Sequence, residues 1–170
     1  FWPPKFGFDL NVAGCGLGHP PSYFSPYKIP TLPDGPKDEY LTDRLTDEAI
    51  KFIEASRDKP FLCYLSHYAV HNPQQAKPEL IAKFKEKAAK LPPSPTPEFA
   101  SDLGRKVRQV QNHPVYAANL ASLDESVGRV LATIARLGLE NDTIVIFTSD
   151  NGGLSTAEGT PTSNVPLRMG

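Results

Sequence analysis

Asp150 and Asn151 close a run of β-branched and apolar residues, Thr143 to Ser149, and are followed by Gly152 and Gly153. A carboxylate beside an amide carbonyl offers hard oxygen donors, which suit calcium or magnesium better than zinc. Two donors do not complete a site. Asp and Asn before glycine also make ordinary turns, because their side chains bond their own backbone. The residues alone leave turn and metal ligand both open. His71 is the next group able to do chemistry. It precedes Asn72 and Pro73, and proline drives the residue before it out of helical geometry. An imidazole on such a loop can donate a proton to a leaving oxygen, or it can be a satisfied loop histidine. His67 stands four residues earlier. The His-x-x-x-His spacing binds zinc only on a helix, and the flanking residues favour a strand edge or pocket wall instead. His19 lies among aromatic and proline residues in Gly18 to Tyr27, where surface packing and a substrate rim are both open. His113 precedes Pro114 at an expected helix start and reads as structural, as does Asp124, within a helix near Arg129.

The elements that must position these groups follow from periodicity and punctuation. Residues 1–39 are rich in proline and glycine and read as irregular loop. Gly14, Gly16 and Gly18 do not have dinucleotide-loop spacing. A helix is expected over 42–56, with Thr42 as its cap and Leu45, Ala49, Phe52 and Ile53 on one face. Phe61 to Leu65 reads as a short buried strand. A second helix is expected over 77–90, with Leu80, Ile81 and Phe84 inward. Pro92, Pro93, Pro95 and Pro97 mark a surface loop. The longest helix is expected over 114–137, with Tyr116, Leu120, Leu123, Val127, Val130, Ile134 and Leu137 as its apolar stripe and Gly138 as its terminator. The strand from Thr143 follows. In open α/β sheets ligands bind beyond the carboxyl ends of strands, where Asp150 and Asn151 would sit. Gly152 and Gly153 are expected to turn the chain there through positive φ.

Composition narrows the function classes. The chain has 170 residues, net charge −1 and 22% charged residues, so nothing in it resembles a nucleic-acid footprint. Lys83, Lys85, Lys87 and Lys90 read as a solvated helix face. No apolar run is long enough to span a membrane. Two cysteines give no disulfide framework: Cys63 reads as a small hydrophobe and Cys15 lies in a glycine-rich loop. Asn141-Asp-Thr143 matches the glycosylation tripeptide, a pattern frequent by chance. The chain begins Phe-Trp-Pro-Pro, and we read it as an excised piece.

The segment Ser149-Asp-Asn-Gly-Gly153 resembles a motif of the sulfatase family, within the alkaline phosphatase superfamily. Phe6-Gly-Phe-Asp9, Tyr40-Leu-Thr-Asp43, Pro60-Phe61 running to His71-Asn-Pro73, Tyr116-Ala-Ala118, Leu123-Asp124, Val127-Gly128 and Asn164 to Arg168 resemble further blocks in the family's order. The resemblance implies an alkaline-phosphatase-like α/β sandwich, a mostly parallel sheet flanked by helices, of which 1–170 is a central part. It implies a sulfuric ester hydrolase with one divalent metal, usually calcium, held partly by Asp150 and Asn151. It makes His71 a catalytic or sulfate-binding residue and His19 a substrate-rim candidate. The family nucleophile, a formylglycine made from Cys or Ser in Cys/Ser-x-Pro-x-Arg, has no counterpart here. The resemblance places it upstream, and the C-terminal part of the domain downstream, so 1–170 alone is expected to be inactive. The implied partners are a sulfated carbohydrate or an aryl sulfate, and the implied compartments are secreted, periplasmic or lysosomal. A phosphodiesterase or phosphonate monoester hydrolase of the same superfamily, and a non-catalytic sugar-binding homologue, are the competing readings.

Overall fold

The computed structural model describes residues 2–157 and 159–167. Its elements are a 3₁₀ turn Pro3–Phe6, helices α1 (Leu41–Ser56), α2 (Pro78–Ala89) and α3 (Pro114–Arg136), and strands β1 (Phe99–Asp102) and β2 (Arg105–Arg108). The chain divides into two compact units, residues 1–76 with 119–144, and residues 77–118 with 145–170.

The core of the first unit lies in the proline- and glycine-rich region expected to be mere loop. Ala13, Tyr23, Tyr27, Ile29 and Leu32 pack with Tyr40, Leu41 and Leu45 at the start of α1. A loop can be buried only if its polar groups find partners, and the tyrosine hydroxyls supply them. Tyr23 donates to the carbonyls of Tyr68 (2.7 Å) and His71 (3.0 Å). Tyr40 donates to the Gln75 carbonyl (3.1 Å), Tyr68 to that of Ala13 (3.1 Å) and Tyr27 to the Glu39 carboxylate (2.7 Å). Each ring thus fills apolar volume while its tip joins two distant segments.

α1 begins at Leu41 after Tyr40, with no side-chain cap. Thr42 is a buried helical residue, not the cap, and its carbonyl accepts the Thr46 hydroxyl at 2.6 Å. α3 also departs from its apolar pattern. Asn119, Ser122, Ser126 and Thr133 are buried, while Leu120 and Leu131 are exposed. Small polar side chains here let helices meet through hydroxyls: Ser126 Oγ lies 2.6 Å from Thr46 Oγ1. Arg136 pairs with Glu54 at 2.5 Å, and Arg129 pairs with Asp47, so the partner of Arg129 is not Asp124, which is exposed. Gly138, at φ +71°, ends α3 by donating to the Ala135 carbonyl.

In the second unit, β1 and β2 form an antiparallel hairpin in register Phe99↔Arg108 to Asp102↔Arg105. Its two-residue turn, Leu103 and Gly104, has positive φ at both positions, +50° and +75°, matching the right-handed twist of the strands. This hairpin follows the expected proline loop and has no counterpart in the sequence expectation.

The expected strands belong to no regular element. Neither 61–65 nor 143–148 forms a ladder among the described residues, and no parallel sheet is present among them. Ile144 is 90% exposed and Ile146 82%. A strand is defined by its neighbours, and β-branched residues supply only half of what a ladder needs. Among the described residues no helix is long and apolar enough to cross a membrane.

Candidate functional site

Asp150 and Asn151 follow the apolar run 143–149, exposed and adjacent. Asn151 Nδ2 donates to Asp150 Oδ2 at 2.9 Å, and Ser149 Oγ donates to the Asn151 carbonyl at 2.7 Å. These local bonds turn the chain and leave amide and carboxylate oxygens with lone pairs to offer. The donor chemistry fits a hard divalent cation. The donor number does not complete a site: no group of three or more His, Cys, Asp or Glu that could hold a metal occurs among the described residues.

Behind this pair the backbone is held firmly. Gly153 N–H donates to Asn164 Oδ1 at 2.9 Å, and Asn164 Nδ2 donates to the Gly153 carbonyl at 2.7 Å. Asn164 Nδ2 also reaches Ser155 Oγ at 3.2 Å. The glycine is required by space and not by φ, which lies outside the left-handed region. A Cβ at 153 would stand 2.5 Å from Thr162 Cγ2 and 3.2 Å from Asn164 Oδ1. β2 supplies the frame. The Arg108 N–H donates to the Ser155 carbonyl (3.1 Å) and Nε to the Thr160 carbonyl (2.5 Å). Nη1 reaches Glu98 and Asn112, each at 2.6 Å. The guanidinium is only 6% exposed as a residue and is charge-matched by Glu98, so it acts as a clamp rather than an open anion receptor. His113 caps α3, its Nδ1 accepting the Tyr116 N–H at 3.1 Å. Burial, then the charge of Arg108, hold its pKa below the usual histidine value.

His71 belongs to the first unit. Its backbone is fixed by its own N–H, which donates to the Tyr68 carbonyl at 2.8 Å, and by its carbonyl, which accepts from Tyr23. Gln75 Oε1 accepts the Tyr23 N–H at 2.8 Å and tightens the same turn. The residue is exposed on this anchored backbone. His67 is the opposite case. Residues 61–68 are not helical, and the His67 ring turns to Ser126, Nε2 to Oγ 3.0 Å, with Nδ1 buried and unbonded. The two histidines therefore do not form a helical zinc pair. His19 is exposed in the first unit, beside the fully buried Pro20. Arg168 lies outside the described residues. Sequence reasoning missed the Asn164 clamp, Arg108 and the Tyr23 staple. Of these only Asn164 carried a signal, as the first residue of a block singled out in the sequence.

Comparison with known proteins gives one consistent result. The family model described as Sulfatase matches residues 5–168. An uncharacterised sulfatase, YdeN, of Escherichia coli (strain K12) is 29% identical over 160 residues, covering 90% of this chain and 24% of that protein. Arylsulfatase J of Mus musculus is 33% identical over 98% of this chain and 26% of its own length. The chain thus spans about a quarter of these relatives. The crystal structure of Ps i-CgsB superposes with a TM-score of 0.59 at 26% identity, covering 81% of this chain and 26% of that one. A crystal structure of the same protein in complex with k-i-k-neocarrahexaose matches equally well.

Proposed function

Since the chain belongs to the sulfatase family, we propose that the full-length protein is a sulfuric ester hydrolase, with Asp150 and Asn151 among the ligands of a divalent metal. The observation that carries this reading is the exposed pair of oxygen donors, Asp150 and Asn151, backed by an anchored loop. Calcium is the proposed ion and magnesium the alternative. When bound, such an ion neutralises sulfate charge. A formylglycine outside residues 1–170 is the proposed nucleophile. His71, held at its backbone by Tyr23, would contact the sulfate or deliver a proton to the ester oxygen as the S–O bond breaks. His19 is proposed to stand at the substrate rim.

The neocarrahexaose complex of the structural neighbour supports a sulfated carbohydrate as substrate, with aryl sulfates as the second class. The uncovered side chains of 144–147 support an alkaline-phosphatase-like parallel sheet in the full-length protein. Each large apolar side chain gains about 1.5–3 kcal/mol on full burial, and neighbouring strands would provide it.

The test is inorganic sulfate release by the full-length protein from sulfated oligosaccharides and an activated aryl sulfate, before and after chelation. Release that stops on chelation and returns with calcium is expected. Hydrolysis of phosphate esters alone would favour the phosphodiesterase reading, and ligand binding with no turnover the non-catalytic one.

A further inference from the structure

Asp150 and Asn151 are exposed, and the side-chain bonds at this pair come from their own immediate neighbourhood. Yet a cation site tolerates little displacement of its donors, because calcium–oxygen distances fall within about 2.3–2.6 Å. Something must fix the loop from outside. Gly153 lies two residues past Asn151, within about 7 Å along the chain, and both of its backbone groups are gripped by one side chain, that of Asn164.

We propose that Asn164 is a positioning residue for the cation-binding pair Asp150–Asn151. The proposal rests on the metal reading of that pair. A single hydrogen bond would leave the backbone free to rotate about it. Two bonds, one accepted and one donated, imitate strand pairing and fix the peptide units on both sides of Gly153. The third bond, from Asn164 Nδ2 to the fully buried Ser155 Oγ, holds the amide in the orientation that makes the other two possible. The grip also explains the missing side chain at 153, whose Cβ would collide with Thr162 and press on Asn164 itself. Asn164 in turn adjoins Ser163, whose carbonyl accepts the Gln111 amide at 2.8 Å, while Arg108 holds Ser155 and Thr160. The exposed donors are thereby coupled to the β2 frame through one residue. Side chains that orient a metal ligand without touching the metal typically change affinity or activity about 10–100-fold when removed.

The test is calorimetric titration of calcium into the chelator-stripped full-length protein, as parent, Asn164→Ala and Asp150→Asn, with thermal midpoints taken with and without saturating calcium. Asn164→Ala is expected to weaken calcium binding by about 10–100-fold, with turnover largely recovered at saturating calcium. Its midpoint should approach the parent's only when calcium is present. Asp150→Asn should remain poorly bound and poorly active at all calcium concentrations. If Asn164→Ala does not fold, Asn164→Gln takes its place: it keeps both amide groups on a stem too long to bracket Gly153, and the same loss is expected. Calcium affinity unchanged in the folded Asn164 variant, with equal midpoint losses with and without calcium, would make the clamp merely structural and overturn the proposal. Unchanged affinity in Asp150→Asn would instead remove the metal reading on which it stands.

Discussion

Acidification is expected to loosen the packing of α1 against α3 through His67. The hydroxyl chain fixes the tautomer. Thr46 spends its one proton on the Thr42 carbonyl (2.6 Å), so in its 2.6 Å contact with Ser126 the serine is the donor. Ser126 then has no proton left for His67, and the 3.0 Å contact must be Nε2–H donating to Ser126 Oγ. Nδ1 is left bare, buried and without an acceptor for a second proton. Burial accordingly pushes the His67 pKa down to about 4. Because the folded value lies below the unfolded one, the unfolded chain binds the proton more readily. The penalty is absent above pH 6.5, grows as pH falls, and is complete near pH 4. At about 1.4 kcal/mol per unit, the full effect is up to about 3 kcal/mol. The assay is denaturant unfolding of the full-length parent and His67→Gln from about pH 7.5 to about pH 4.5, taking the difference so that carboxylate titrations shared by both cancel. The stability of the parent relative to the variant should fall steadily across that window. Parallel pH curves would refute both the tautomer assignment and the burial argument.

Two further outcomes concern the proposed functional residues and their supports. His71→Ala should depress turnover of sulfate esters with poor leaving groups far more than that of activated aryl sulfates, because proton donation matters most where the leaving oxygen is basic; equal losses in a comparison of kcat/KM would leave sulfate contact as its role. Gly153→Ala should destabilise the protein by about 1–3 kcal/mol, the usual cost of forcing atoms into filled space, with Thr162 Cγ2 only 2.5 Å from the new carbon; an unchanged thermal midpoint would argue against the Asn164 geometry.

Helices were legible in the sequence because their signals are local. The expected helix over 77–90 is Pro78–Ala89, and that over 114–137 is Pro114–Arg136, with Gly138 ending it as glycine can. Strands were not, because a strand is a pairing and residues such as Ile144 and Ile146 carry propensity without carrying a partner. The hairpin of β1 and β2 escaped notice because Leu103 occupies a positive-φ position that turn chemistry normally gives to Asn, Asp or Gly. The apolar stripe on α3 misled for another reason: Ser126 is buried through a hydroxyl contact with Thr46, which depends on what α1 presents. Of the proposed functional residues, Asp150, Asn151 and His71 were visible as residue types with neighbours. Their supports were not visible, since Tyr23 reaches His71 across 48 positions and Asn164 reaches Gly153 across 11.

The most direct test of the central claim is Asp150→Asn in the full-length protein, assayed for calcium binding and sulfate release at limiting calcium. Loss of the carboxylate should weaken calcium binding and lower kcat/KM by on the order of 100-fold or more, the scale for removing a main electrostatic stabiliser. Binding and turnover close to the parent's would contradict the assignment of Asp150 as a metal ligand.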